Sequence, residues 1–138
     1  MKALILSGGS GTRLRPLTYT NAKQLLPLAN KPILFHIIEK IVKAGINDIG
    51  IIVGDTREEV IKTVENGNRW GINISYLHQP APLGLAHAVK TAANFLLEDD
   101  FLMVLGDNVF NMELNTLINK FYANNANSAL LLHKVENP

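Results

Sequence analysis

Lys2-Ala3-Leu4-Ile5-Leu6-Ser7-Gly8-Gly9-Ser10-Gly11-Thr12-Arg13 opens the chain, and the reading of this stretch decides the fold. Lys2 to Leu6 is a short apolar run without a turn residue, as expected of a strand covered on both faces. Glycines then fall at positions 8, 9 and 11. A loop of that composition leaves its backbone N–H groups unshielded and adopts φ > 0 freely, so a ligand can approach the main chain. Arg13 and Arg15 add positive charge beside it, as does Lys23 in the following Asn21-Ala22-Lys23-Gln24-Leu25-Leu26-Pro27-Leu28. Bare amides and cations at the carboxyl end of a strand suit a polyphosphate. Two familiar phosphate motifs do not fit. Gly9-x-Gly11 lacks the third glycine of the dinucleotide fingerprint, since Leu14 stands there, and no Walker A pattern occurs.

The bulk properties bound the rest. A chain of 138 residues, 47% hydrophobic and with formal net charge +1, reads as one globular domain. The near-neutral balance gives no reason to expect nucleic acid or an anionic membrane as partner. No apolar run approaches the roughly 20 residues of a membrane span. The absence of cysteine excludes disulfides and thiolate metal sites and fits a reducing cytoplasm, the compartment expected here.

Working outward, Pro32 to Ala44 predicts a helix: proline suits its first turn, Gly45 its end, and Ile33, Leu34, Ile37, Ile38, Ile41 and Val42 form one apolar stripe. Asp48 to Val53 is a second, nearly continuous apolar strand. Asp55 with Glu58, or Thr56 with Glu59, can build a capping box for a helix running to about Asn66. Ile72 to Leu77 alternates as a third strand. The stiff loop Gln79-Pro80-Ala81-Pro82-Leu83-Gly84 runs into a helix from Leu85 to Leu97. Phe101 to Leu105 is a fourth strand, followed by Gly106-Asp107-Asn108. A helix over Leu114 to Tyr122 and a final strand over Ala129 to Val135 complete the chain. Strands and helices alternate with short connections, which predicts a three-layer, doubly wound α/β fold with a mainly parallel, Rossmann-like sheet. In such sheets ligands lie beyond the carboxyl ends of the strands. The polar, glycine-bearing segments after the first, third and fourth strands all fall there.

Leu4-Ile5-Leu6-Ser7-Gly8-Gly9-Ser10-Gly11-Thr12-Arg13-Leu14-Arg15-Pro16-Leu17-Thr18, followed by Ala22-Lys23-Gln24-Leu25-Leu26-Pro27-Leu28-Ala29-Asn30-Lys31-Pro32-Ile33-Leu34, resembles the signature of the sugar-1-phosphate nucleotidyltransferases. Gln79-Pro80-Ala81-Pro82-Leu83-Gly84-Leu85-Ala86-His87-Ala88 and Leu105-Gly106-Asp107-Asn108 match two further stretches of that family in the same order. The Lys23-Gln24-Leu25-Leu26-Pro27 portion most resembles its glucose-1-phosphate thymidylyltransferase branch. The resemblance implies transfer of a nucleotidyl group from a nucleoside triphosphate, dTTP first among candidates, to a hexose 1-phosphate such as glucose 1-phosphate, with release of pyrophosphate. It implies Arg13, Lys23 and Asp107 as catalytic residues, with Asp107 holding Mg²⁺. It places Leu6, Gly8, Gly9, Ser10, Gly11, Thr12, Arg13, Gln24, Gln79, Pro82 and Gly84 around the nucleotide, with Gln79 and Gly84 at the base.

Alternatives stand beside these assignments. Taken alone, Gly106-Asp107-Asn108 is a turn or helix cap, and Gln79 a solvated loop residue. Arg15 either touches phosphate or pairs with an acid. The histidines, His36, His78, His87 and His133, show no metal spacing and read as structural. The alternative function is a non-catalytic nucleotide or nucleotide-sugar binding module. Family members are longer, so the resemblance implies that residues 1–138 are the nucleotide-binding part, with the sugar-binding part and a second metal-binding aspartate absent. An apolar final strand lacking cover would favour self-association into a homo-oligomer.

Overall fold

The computed structural model describes residues 1–8, 22–132 and 134. Its centre is a four-stranded sheet built from β1 (Lys2–Leu6), β4 (Asp48–Val53), β5 (Asn73–His78) and β6 (Phe101–Leu105). The order across the sheet is β5-β4-β1-β6, and every neighbouring pair is parallel. Between β1 and β4 lie the short antiparallel pair β2 (Pro27–Leu28) and β3 (Lys31–Pro32), then helix α1 (Ile33–Lys43). Helix α2 (Arg57–Val64) joins β4 to β5, α3 (Leu85–Thr91) and α4 (Ala93–Leu96) join β5 to β6, and α5 (Leu114–Ala123) follows β6.

The alternation along β1 distributes the layers. Ala3 and Ile5 enter one core with Ile49, Ile51 and Val53 of β4, covered by Leu34, Ile38 and Ile41 of α1, Val60 and Val64 of α2, and Leu114 of α5. Leu4 points the other way, joining Ile52, Ala88, Ala92 and Leu96 in a second core under α3 and α4. Residues of a strand alternate between faces, so an apolar side chain at every position requires cover on both. The doubly wound, three-layer expectation therefore holds.

Local details follow the chemistry of particular residues. Pro32 has φ −53° and caps α1 rather than lying inside it, while Gly45 takes φ +83° just past the helix end. The helix expected over 85–97 is broken at Ala92 into α3 and α4. In β4, a Cβ at Gly50 would lie 2.8 Å from the Phe95 ring, so the bare glycine is what lets α4 pack so closely.

Two expectations fail. No capping box forms at α2: Thr56 is the cap residue, but neither it nor Glu59 closes the helix, because both side chains are engaged elsewhere. The final strand is not formed over Ala129–Leu132, which pair with nothing in the sheet; Val135 and His133 lie outside the described residues. Leu130 and Leu132 are exposed instead. β6 is one of the two edge strands of the sheet, and beside it a groove of about 570 Å³ is lined by Phe101, Met103, Phe110, Leu117, Phe121 and Leu131.

Tyr76 of β5 donates its hydroxyl hydrogen to the Glu65 carbonyl just past α2. Burial, and secondarily the Glu65 charge, raises its pKa from 10.0 to about 12. The folded chain thus keeps a proton that the unfolded chain loses between those values, so this contribution to stability is complete below pH 10.0 and disappears as pH rises to about 12. In urea melts, the loss of stability between about pH 9 and about pH 11 will be smaller for Tyr76→Phe than for the wild type.

Candidate nucleotide site

The strand order reverses direction between β1 and β6: from β1 the chain builds outward through β4 to β5, then returns to the far side of β1. At such a switch point the loops leave a crevice at the carboxyl ends of the strands. Those ends are level here. Ser7 N–H donates to Ile52 O, Gln79 N–H to Val53 O and Gly106 N–H to Leu6 O, each at 2.9 Å. Glycine permits the tight departures: a Cβ at Gly106 would sit 3.0 Å from Leu6 O, and one at Gly54 3.1 Å from Gly8 O.

The glycine segment begins and ends at this rim. Gly9, Ser10, Gly11, Thr12, Arg13 and Arg15 lie outside the described residues, but both flanks are fixed. On the near side Gly8 packs over Gly54 and Gln79. On the far side Ala22 N–H donates to Glu59 Oε2 at 2.8 Å. Next to it, buried Gln24 reaches back: its Nε2 donates to Ser7 O at 3.0 Å and, at 3.4 Å, to Thr56 Oγ1. Thr56 and Glu59, read from sequence as helix-capping residues, are therefore anchors of the loop. Gln24, expected near the nucleotide or sugar phosphate, spends its amide hydrogens on the loop's own frame. Ser7 Oγ is buried beside that frame and has no hydrogen-bond partner among the described residues.

Lys23 precedes Gln24 in a single 3₁₀ turn, Lys23–Leu25, which turns the lysine away from the buried glutamine. Its Nζ lies 2.5 Å from Asp107 Oδ2, two residues beyond the end of β6. Two of the three residues expected to be catalytic thus meet at the switch point, from segments 84 positions apart. Both side chains remain partly accessible, at 34% and 30%, so either can change partner without stranding a buried charge. Among the described residues no group of three or more His, Asp or Glu side chains gathers as a metal cage. A lone carboxylate suits Mg²⁺, which keeps waters and takes phosphate oxygens to complete its octahedron.

Across the rim stands Gln79, buried at the end of the loop's other wall. Its Nε2 donates to His87 Nδ1 at 2.9 Å and, more weakly, to Gly84 O at 3.4 Å, and its Oε1 faces Gly8. Gly84 has φ +93° and open space where a Cβ would be, and Pro82 is exposed beside it. His87, read from sequence as structural, meets the Gln79 amide eight residues earlier across the proline loop, a contact that no spacing in the sequence announces. His36, by contrast, donates from Nε2 to Leu28 O at 2.8 Å, and His78 is exposed at the end of β5.

Comparison with known proteins agrees with this fold. A family model described as nucleotidyl transferase matches residues 2–138. A glucose-1-phosphate thymidylyltransferase of Streptomyces griseus is 51% identical over 138 residues, covering 100% of this chain and 39% of that relative. A low-salt glycan biosynthesis nucleotidyltransferase of Haloferax volcanii, Agl11, is 45% identical over 139 residues, again 100% of this chain and 39% of the relative. Among solved structures, a Bacillus anthracis protein assigned as a glucose-1-phosphate thymidylyltransferase, in complex with sucrose, superposes with TM-score 0.85 and 32% identity over 89% of this chain and 50% of that one. The chain therefore spans well under half the length of these curated relatives.

The frame and the charge pair differ in what they contribute to stability. Gln24→Leu leaves the buried Ser7 carbonyl without its donor and will cost about 1–3 kcal/mol in urea unfolding. Lys23→Met, at a half-open ion pair, will cost less than about 1 kcal/mol.

Proposed function

The chain belongs to the nucleotidyl transferase family, and from that premise we propose that residues 1–138 form the nucleotide-binding part of a sugar-1-phosphate nucleotidyltransferase. The reaction is attack of a hexose 1-phosphate oxygen on the α-phosphorus of a nucleoside triphosphate, giving a nucleotide-sugar and pyrophosphate. Our preferred substrates are dTTP and glucose 1-phosphate, the reading supported by the names of the Streptomyces and Bacillus proteins above. The observation that carries the proposal is the meeting of Lys23 and Asp107 at the switch point, beside a loop whose two ends are pinned.

In-line phosphoryl chemistry asks little covalent help of a protein; it needs two polyanions held together and the developing charge neutralised. Amides of Gly8, Gly9, Ser10 and Gly11 cradle the triphosphate. Arg13 takes the β- and γ-phosphates that leave as pyrophosphate. Lys23 exchanges Asp107 for the reacting phosphates. Asp107 is the carboxylate that would hold Mg²⁺, which would supply positive charge to offset that of the phosphates. Gln79 reads the base, and Gly84 leaves room for it. We place the groups that position the sugar phosphate outside residues 1–138.

Calorimetry of the 138-residue chain with dTTP and Mg²⁺ tests this. The expected dissociation constant is about 0.1–1 mM, or about −4 to −5.5 kcal/mol, with little or no pyrophosphate release when glucose 1-phosphate is added. Absence of dTTP binding overturns the site; full-rate turnover overturns the placing of the sugar-phosphate groups. Arg13→Ala will weaken binding of the triphosphate far more than binding of thymidine, whereas equal weakening of both would remove Arg13 from the phosphates.

A further inference from the structure

We propose that His87 is a positioning residue that sets which base the site accepts, by locking the Gln79 amide in one of its two orientations. The inference rests on the reading above, in which Gln79 faces the base.

A glutamine amide presents a carbonyl on one side and an NH₂ on the other, and a half-turn exchanges them. Here the orientation follows from its neighbours. The Gly84 carbonyl can only accept, so the nitrogen must lie on that side, at 3.4 Å. The same nitrogen lies 2.9 Å from His87 Nδ1, which must then be the unprotonated ring nitrogen, with the imidazole proton on Nε2. Both amide hydrogens are thereby used, and Oε1 is turned to the opposite side, where a Cβ on Gly8 would be 3.5 Å away. The face that Gln79 offers to the glycine segment is an acceptor.

That choice has a chemical consequence. Thymine and uracil carry a donor at N3–H, which a carbonyl acceptor satisfies. Cytosine carries a bare acceptor at N3, which a carbonyl repels. A site with a fixed acceptor therefore prefers an imide-bearing pyrimidine, and discriminates because the wrong base leaves polar groups facing one another unpaired. The lock resides in His87. The Gly84 contact alone is long, and the peptide carbonyl at 3.4 Å holds the amide weakly. Without the imidazole acceptor the amide is free to turn and offer NH₂ to cytosine. The scaffold supports this role: His87 lies in the first turn of α3, and the adjacent Ala88 is buried in the core beneath, which fixes where the ring is presented.

The test uses calorimetry of this chain with Mg²⁺ and either dTTP or dCTP, with inorganic tripolyphosphate as the base-free probe. Wild type should bind dTTP about tenfold more tightly than dCTP, the worth of about one hydrogen bond. His87→Leu should bring that ratio close to one while leaving tripolyphosphate affinity unchanged. His87→Asn, whose Oδ1 falls near the position of the imidazole Nδ1, should restore the preference. Retention of the preference in His87→Leu overturns the inference, as does failure of His87→Asn to restore it in a variant that still binds tripolyphosphate. Failure of wild type to bind either nucleotide would instead overturn the nucleotide site itself.

Discussion

The site depends on one buried hydrogen bond, from Gln24 Nε2 to Ser7 O. Ser7 is where β1 leaves the sheet. Its N–H is still paired with Ile52 O, but its carbonyl has passed the end of the ladder. A buried carbonyl without a donor costs about as much as a lost hydrogen bond. The chain could supply water or another strand; instead it returns, 17 residues later, with a glutamine that is itself buried. The two flanks of the glycine segment are thereby held side by side. Ala22 N–H bonding to Glu59 adds the second tie, so the β4–α2 corner carries the far flank while β1 carries the near one.

The same economy of position brings in the Lys23–Asp107 pair. Because β1 lies between β4 and β6, whatever follows β1 must open beside whatever follows β6. Lys23 stands next to Gln24, whose bond to Ser7 O holds that flank at the end of β1, and Asp107 is the second residue after β6, so the two come within reach. Gln79 comes in from the end of β5, two strands away from β1, and reaches Gly8 only because Gly54 at the intervening strand end carries no side chain to separate them. Cation, carboxylate and amide thus reach the carboxyl rim of the sheet from three different segments of the chain.

Much of this was legible in the sequence. Continuous apolarity over Leu4–Leu6 and Ile49–Val53 demanded a sheet covered on both faces, and the glycine and proline punctuation located the strand ends. What failed, failed for identifiable reasons. Thr56 and Glu59 have the spacing of a capping box, and local pattern cannot show that a segment some 35 residues upstream competes for both side chains. Ala129–Leu132 has strand composition, but composition does not provide a neighbour, and β6 ends the sheet without it. His87 was passed over because a histidine on a helix after a loop carries no period or spacing. Its meaning lies in a side-chain contact across Gly84, whose φ of +93° turns the chain back towards Gln79. Arg13 and its neighbours lie outside the described residues, so their roles stand on the resemblance and the proposed function.

The exposure of the Lys23–Asp107 pair also bears on how such a site can work. A fully buried pair would hold its partners tightly, and separating them would leave an uncompensated charge costing several kcal/mol. At about one-third exposure each, the two charges gain at most about 1 kcal/mol from one another. An incoming triphosphate brings several negative charges, and a cation accompanying it brings two positive ones. On the proposed function, Lys23 would gain more from the first than it loses with Asp107, and Asp107 would gain more from the second than it loses with Lys23. The pair therefore keeps the two groups oriented and mutually neutral while no ligand is present, and presents only a small barrier to their exchange. Placed one layer deeper in the sheet, the same two residues would be a structural ion pair; at the rim they can serve as a site.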